Sequence, residues 1–128
     1  MADACARDVM TAPVLSVRRH WPVARAAELM VRYGFTALPV VDEGERLVGL
    51  LTEGDVLVDR LGADASAGHT VADVMTVDVL AVSPQLELAR LTERPVSGGR
   101  RVIPIVDGGR LVGIVSRRDL IRTAAERP

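Results

Sequence analysis

The feature that most constrains this 128-residue chain is an internal repeat. With an offset of 65 residues, DVMT at Asp8–Thr11 recurs at Asp73–Thr76, and LPVVD recurs as IPIVD. One residue is then missing from a turn, so that LVGLLTEGD from Leu47 recurs 64 residues later as LVGIVSRRD from Leu111. Matching segments in the same order, at nearly constant spacing, indicate two copies of one structural unit.

In the first copy, the residues after DVMT predict a strand and then a helix. The β-branched run Val14–Val17 predicts the strand, Pro22 suits the first helical turn, and Gly34 suits the residue just after the helix. Apolar residues with helical spacing are expected to face inward, namely Val23, Ala26, Ala27, Met30 and Val31.

Two strands and a second helix complete the first copy. The apolar runs Ala37–Val41 and Leu47–Leu51 are joined by an acidic turn that contains glycine, which predicts adjacent antiparallel strands. A helix is expected to start at Thr52 and to carry Val56 and Leu57 inward.

The predicted plan is strand, helix, strand, strand, helix, written twice, which is a mixed α/β (α+β) fold. We expect the first copy at residues 7–60, a small polar linker at 61–69 and the second copy at 70–123. A copy of about 55 residues buries little surface alone, so the two are expected to pack with approximate two-fold symmetry.

Composition favours a globular protein and argues against several functions. The apolar fraction is 48% and the charged fraction 26%, while Trp21, Tyr33 and Phe35 are the only aromatic residues. The small number of aromatic residues and the net charge of −1 argue against nucleic acid as a partner. No apolar run approaches the roughly 20 residues that span a bilayer, so no membrane association is expected.

The chemistry-bearing residues do not predict an enzyme. Cys5 is the only cysteine, which fits a reducing, cytoplasmic setting. His20 and His69 have no second histidine or cysteine at ligand spacing, so no metal site is expected. The sequence also lacks a nucleophile elbow and a phosphate-binding Walker loop.

DVMT, a proline-containing strand and LhGhh[ST]xxD (h, apolar), twice in tandem, resemble the CBS domain, named after cystathionine β-synthase. The resemblance implies a regulatory, non-catalytic CBS pair that needs no cofactor and binds adenosine-containing ligands such as AMP, ADP or ATP in two clefts between the repeats. It also implies a homodimer that closes on its ligand and signals to another protein, whose identity the sequence does not give.

The resemblance further implies which residues bind the ligand. The hydroxyl residue and the aspartate of [ST]xxD would hold phosphate and ribose, and here they are Thr52 with Asp55 and Ser116 with Asp119. The adenine would be enclosed by the positions Thr11, Val14, Ala37 and Leu38 of the first copy and Thr76, Val79, Val102 and Ile103 of the second.

The two motifs differ in charge. SRRD adds Arg117 and Arg118, which suit a phosphate, whereas Glu53 of TEGD would repel one. By resemblance, Arg100 and Arg101 before the second proline-containing strand would also reach phosphates. Because the clefts of the family draw on both repeats, Arg101 could also serve the site of Thr52 and Asp55. We therefore expect the second motif to take a phosphorylated adenosine.

Other interpretations of the same residues stay open. T-x-x-D and S-x-x-D are also capping-box sequences, so the chain could be a ligand-free interaction or dimerisation module. S-adenosylmethionine is an alternative ligand, and nucleic-acid binding by the arginine-rich second copy is a weaker alternative. The segment Pro95–Arg100 departs from the first copy, and it is either a gate that orders on binding or a tolerated irregularity.

Overall fold

The computed structural model describes residues 4–63, 68–92 and 102–126. The chain forms two compact units: unit 1 is Met1–Val14 with Leu80–Pro128, and unit 2 is Leu15–Val79. The units are not the two sequence repeats, because each contains the DVMT segment of the other repeat.

Unit 2 is a three-stranded sheet with helices. Its elements are β1 (Val17–Arg18), α2 (Val23–Tyr33), β2 (Ala37–Val41), β3 (Leu47–Thr52), α3 (Glu53–Leu61) and α4 (Val71–Val74). The strand order is β1-β2-β3, with β1 parallel to β2 and β2 antiparallel to β3. The predicted antiparallel pair is confirmed, but only Val17 of the predicted strand Val14–Val17 is paired with β2.

The ends of α2 follow the sequence signals. Pro22 is the N-cap residue, and Gly34 has a φ of 72°, in the left-handed region that favours glycine. Val23, Ala26 and Met30 are buried as predicted. The inward placement of Val31 was wrong, because its side chain is 86% exposed at the edge of the helical stripe.

The start of α3 at Thr52 is confirmed, since Thr52 is its N-cap residue. Val56 packs against the core, but the predicted inward placement of Leu57 was wrong, as Leu57 is 57% exposed. A helix turns about 100° per residue, so Asp59 shares the inner face with Val56 while Leu57 turns away from it.

Unit 1 contains α1 (Ala6–Val9), α5 (Leu88–Thr92), β4 (Val102–Asp107), β5 (Arg110–Ser116) and α6 (Arg117–Glu126). Strands β4 and β5 form an antiparallel pair. The predicted strand at Val79–Val82 is reduced to an isolated parallel bridge between Val82 and Ile105. The irregular segment Pro95–Arg100 lies outside the described residues.

Each unit has its own aliphatic core. In unit 2 the core comprises Val17, Ala26, Met30, Leu38, Val40, Leu51 and Val71. In unit 1 it comprises Ala6, Val82, Leu91, Ile103, Ile105 and Val115. Leu38, Leu51, Leu91, Ile103 and Ile105 are among the largest fully buried side chains. Burial of such side chains is worth about 1.5–3 kcal/mol each, so aliphatic packing is the main stabilising term in both units.

Each DVMT segment packs against a glycine in the second strand of an antiparallel pair, either Gly49 of β3 or Gly113 of β5. A β-carbon on Gly49 would lie 2.9 Å from the carbonyl oxygen of Thr76 and would also collide with the side chain of Met75. Gly113 makes the same close contact with Met10 and Thr11. Glycine is therefore required at both positions by the approach of a backbone and a methionine side chain.

Candidate functional site

The first candidate site lies in unit 2, where β3 ends and α3 begins. The backbone N–H of Asp55 donates to the Thr52 hydroxyl at 3.1 Å, and the backbone N–H of Thr52 donates to Asp55 Oδ2 at 2.9 Å. This reciprocal capping box satisfies two N–H groups that have no partner inside the helix. The TEGD motif thus works as a helix cap.

A residue from the second repeat completes this site. The Thr76 hydroxyl donates to Asp55, at 3.1 Å from Oδ2 and 3.4 Å from Oδ1. Thr76 is held there because its backbone exchanges two hydrogen bonds, each of 2.9 Å, with Leu50 of β3. The Asp55 carboxylate therefore accepts from the Thr52 backbone of its own repeat and from the Thr76 hydroxyl of the other repeat.

The second candidate site, in unit 1, has the same design. The backbone N–H and the hydroxyl of Ser116 donate to Asp119 Oδ2 at 2.8 and 3.0 Å, and the backbone N–H of Asp119 donates to the Ser116 hydroxyl at 3.1 Å. The Thr11 hydroxyl donates to Asp119 Oδ1 at 3.3 Å. Asp119 is only 6% exposed, and Arg122 Nη1 lies 3.7 Å from its Oδ1.

The predicted site residues are therefore grouped across the repeats. Thr76 joins Thr52 and Asp55 in unit 2, while Thr11 joins Ser116 and Asp119 in unit 1. Sequence alignment of one copy on the other does not reveal this exchange, because it pairs equivalent residues and carries no information about which copy they contact.

Four of the predicted adenine-enclosing positions lie on the strand next to a cap. In unit 2, Ala37 and Leu38 lie opposite Thr52 and Leu51 in the β2–β3 pair, and Val79 is half-buried. In unit 1, Val102 and Ile103 lie opposite Ser116 and Val115, and Val14 is half-buried. In each unit, the strand that carries these positions (β2 or β4) is thus the direct neighbour of the strand that ends at the [ST]xxD hydroxyl.

The arginines divide into two groups. Arg117 and Arg118 form the exposed first turn of α6, next to Ser116. Arg100 and Arg101 lie outside the described residues. In unit 2 the residues equivalent to Arg117 and Arg118 are Glu53 and Gly54. The two caps therefore share their hydrogen bonds and differ in the sign of the charge beside them.

Unit 2 also contains a cavity of about 560 Å³ beside its cap. It is lined by Thr52 and Asp55 of the cap and by Asp59 and His69. Asp59 Oδ1 is in close contact with His69 Nδ1, whereas Asp59 Oδ2 is buried with no hydrogen-bond partner among the described residues. The Asp59 side chain is 2% exposed, so this is a carboxylate withdrawn from water and held by one partner.

The sequence did not indicate this pair, because Asp59 lies on a helix and His69 has no second histidine or cysteine at ligand spacing. A comparison of the two copies could have drawn attention to these two residues. At the equivalent positions of the other copy stand Thr123 and Ala4, so that both members of the pair differ together between the copies.

A second, more apolar cavity of about 410 Å³ lies between α2 and α3. Met30, Phe35 and Val56 line it, and the exposed side chains of Val31 and Leu57 form part of its rim. Its walls offer few polar groups that could orient a small ligand, which makes it a weaker candidate site than the cavity beside the cap.

Two further aspartates hold the DVMT segments in place. The backbone N–H of Thr70 donates to Asp73, and this bond, with that of the Thr70 hydroxyl and the charge of His69, lowers the pKa of Asp73 below its ordinary value of 3.8. In unit 1 the equivalent Asp8 accepts from the backbone N–H of Cys5, which lowers its pKa in the same way.

The described residues contain neither a cluster of metal-ligating side chains nor a helix that could span a membrane. Within residues 4–63, 68–92 and 102–126, no three His, Cys, Asp or Glu side chains lie together in a way that could hold a metal ion. Over the same ranges, every helix is too short or too polar to cross a membrane.

The sequence and the fold of this chain have counterparts among known proteins. The family model for the CBS domain matches residues 6–61 and again residues 71–126. The chain belongs to the CBS domain family. It carries two CBS domains in tandem, and such CBS pairs are regulatory modules rather than catalytic ones.

Individual relatives agree with this assignment. The chain is 35% identical over 115 residues to the CBS domain-containing protein YhcV of Bacillus subtilis, covering 89% of this chain and 81% of YhcV. It is 30% identical over 117 residues to the A-adding tRNA nucleotidyltransferase of Geobacter sulfurreducens, covering 91% of this chain but only 13% of that enzyme. The crystal structure of CBSX2 in complex with AMP is similar with a TM-score of 0.84 and 30% identity, covering 96% of this chain and 97% of that chain.

Proposed function

We propose that this CBS pair is a cytoplasmic regulatory module that binds an adenine nucleotide, AMP, ADP or ATP, and signals its presence to a partner protein. The carrying observation is the cap of unit 1, where the buried Asp119 carboxylate lies at the start of an arginine-rich helix. Such a site places a hydrogen-bond acceptor and several phosphate-binding groups side by side.

Each part of a nucleotide has a counterpart at this site. A carboxylate accepts hydrogen bonds from both ribose hydroxyls, so Asp119 suits the ribose. The Ser116 hydroxyl and the first N–H groups of α6 suit a phosphate, because the N-terminus of a helix carries partial positive charge. Arg117 and Arg118 would add the bidentate guanidinium contacts that phosphates favour.

A related protein supports the choice of ligand. CBSX2, which is 30% identical and similar over nearly the whole chain, was crystallised with AMP. Binding at Ser116 and Asp119 would exchange the internal hydrogen bonds of the capping box for bonds to the ligand. The internal cap therefore keeps the carboxylate satisfied and in position until a nucleotide arrives.

Thermal unfolding with and without AMP, ADP and ATP tests the proposal. A nucleotide at about 100 times its dissociation constant adds roughly 2.7 kcal/mol to the free energy of unfolding. Replacement of both Arg117 and Arg118 by alanine should abolish this stabilisation while leaving the unfolding temperature of the free protein nearly unchanged, because both side chains are exposed.

Asp78→Ala provides the control, because Asp78 is an exposed carboxylate outside both caps. This variant should keep the full nucleotide stabilisation. Absence of stabilisation by any of the three nucleotides would overturn the proposal and favour a ligand-free module.

A ligand-free interaction module is the second candidate, and the hydrogen bonds that the residues of each cap make to one another favour it. Under either function we propose a homodimer, because α3 exposes Leu57, Val58 and Leu61 on its outer side. Light scattering should then report a dimer for the wild type and a monomer for Leu61→Glu. Val77→Glu, at an equally exposed apolar residue outside the helices, should leave the dimer intact.

A further inference from the structure

The methionine of each DVMT segment packs its thioether directly on a glycine backbone. The Met75 sulfur occupies the space beside Gly49, since a β-carbon placed on that glycine would lie 2.6 Å from Sδ and 3.0 Å from Cγ. Met10 makes the same contact with Gly113. Each methionine also packs against the aliphatic core of its unit. The two thioethers therefore fill closely fitted sites, where a single atom added to the sulfur would disturb the packing.

Each of these methionines directly precedes the threonine that reaches a cap from the other repeat. Thr76 exchanges two backbone hydrogen bonds of 2.9 Å with Leu50, and its hydroxyl donates to Asp55. Thr11 makes the equivalent backbone and carboxylate bonds in unit 1. Because the two residues share a peptide bond, a displacement of the methionine side chain acts on the backbone that holds the threonine at its cap.

Met10 and Met75 are more open to solvent than Met30. Both are half-buried, and each is the C-cap residue of a helix of only four residues. Met30 is 8% exposed and lies within the 11-residue helix α2. Local opening of a short surface segment costs less free energy than opening of a helix that is packed on a core. A small oxidant should therefore reach Met10 and Met75 before it reaches Met30.

We infer that Met10 and Met75 are sites of reversible oxidation by hydrogen peroxide, and that their sulfoxides release the DVMT segments from the two caps. In this step a lone pair of the sulfur attacks one peroxide oxygen, and the O–O bond breaks. The displaced hydroxide takes up the proton of the attacked oxygen and leaves as water, so that sulfur is oxidised and the peroxide is reduced. Methionine sulfoxide reductases convert the product back to methionine.

The sulfoxide oxygen is incompatible with the site that the thioether fills. It adds a polar atom to a sulfur that touches a glycine backbone and aliphatic side chains. Burial of a polar group without a hydrogen-bond partner costs free energy, which is avoided when the segment moves away from the glycine. The threonine then no longer donates to the cap carboxylate. The step involves only contacts within the chain, so the inference does not depend on the proposed nucleotide.

Peroxide treatment followed by peptide mapping tests the assignment of the sites. The parent for these experiments is the full chain with Cys5→Ser, which removes the only thiol that peroxide would also oxidise. Arginines separate the four methionines, so that trypsin places each methionine on a different peptide. The peptides that carry Met10 and Met75 should gain one oxygen atom several times faster than the peptide that carries Met30.

Urea unfolding and hydrogen exchange measure the consequence of oxidation. Oxidation of both sites should lower the urea midpoint by about 0.5–1 M, and methionine sulfoxide reductases should restore it. The backbone N–H groups of Leu50 and Ile114, which donate to the DVMT segments, should exchange faster after oxidation. Those in the middle of α2 should change much less.

Substitution by leucine supplies the controls, because leucine is apolar, similar in volume and has no sulfur. The double variant Met10→Leu with Met75→Leu should keep its urea midpoint after peroxide treatment. Met30→Leu is the matched control and should lose as much stability as the parent. Oxidation of Met30 as fast as that of the other two overturns the inference. An unchanged midpoint of the oxidised parent, or an equal loss in the double variant, also overturns it.

Discussion

Asp119 and Asp55 occupy the same position in the two repeats, but their surroundings differ. Asp119 is 6% exposed and lies beside arginines, whereas Asp55 is half-buried and lies beside Glu53 and a cavity that holds a second carboxylate. The hydrogen bonds of the two caps are nevertheless nearly the same. The comparison teaches that helix capping sets the backbone geometry of the motif, while the residues around the motif set the charge beside it.

Removal of the two cap carboxylates should have the largest effect on this comparison. Asp119→Ala should lower the free energy of unfolding by about 2–3 kcal/mol, and Asp55→Ala by about 1–2 kcal/mol, because water reaches the partners of Asp55 more easily. Urea unfolding measures both values, with Asp78→Ala as an exposed control expected to change stability by less than about 0.5 kcal/mol. Equal losses at the two caps would mean that burial does not set the strength of the cap.

The glycines under the DVMT segments should rank next. Gly113→Ala and Gly49→Ala should each cost about 1–3 kcal/mol, since the added β-carbon would collide with a methionine and a carbonyl oxygen. Gly44→Ala is the matched control, because its β-carbon would meet only Asp42 Oδ1, at 3.5 Å. Urea unfolding measures all three, and a neutral result at Gly49 with a loss at Gly113 would mean that the DVMT segment packs less tightly in unit 2.

The threonines that reach the caps from the other repeat should have smaller effects. Thr11→Val and Thr76→Val remove one hydroxyl donor each and should cost about 0.5–1.5 kcal/mol. The loss should be larger for Thr11, because the nearly buried Asp119 cannot replace the lost donor with water. Thermal unfolding of both variants measures the order, and the reverse order would show that the 3.1 Å bond from Thr76 matters more than burial.

Acid titration should give the smallest difference between the units. The pKa of Asp73 is lower in the folded protein than its ordinary value of 3.8, so its contribution to stability is complete above that value and is lost as the pH falls through the folded pKa. In the Asp73→Asn variant, the free energy of unfolding should therefore fall less steeply below about pH 4 than in the wild type. Asp8→Asn should have the same effect in unit 1. Urea midpoints between pH 6 and pH 3 measure the slope, and an unchanged slope would contradict the assignment.

Features set by neighbouring residues could be predicted from the sequence. The strands at Ala37–Val41 and from Leu47, the helix start at Thr52 and the helix end at Gly34 all depend on local patterns. Tandem repetition then allowed the CBS pair to be predicted, and the family match confirms it.

Features set by contacts across the chain could not be predicted in this way. The exchange of Thr11 and Thr76 between the caps depends on which strand edge each DVMT segment meets, and neither segment encodes that choice locally. Asp59 and His69 are ten residues apart, and they meet because His69 lies next to α3 in the folded chain. Leu57 is exposed because the inner face of α3 includes the buried Asp59. The spacing of apolar residues alone does not indicate a buried aspartate.

The exchanged DVMT segments also bear on how such a protein can be divided and how it could have arisen. The boundaries that keep each unit whole lie after Val14 and after Val79, inside the repeats, and not in the linker between them. A fragment cut at the linker would keep a strand edge but lose the threonine that pairs with it. It would also keep a threonine whose strand edge lies in the other fragment. An ancestral single repeat would have needed a second chain to supply that segment, so self-association would have preceded the gene duplication that joined the two copies.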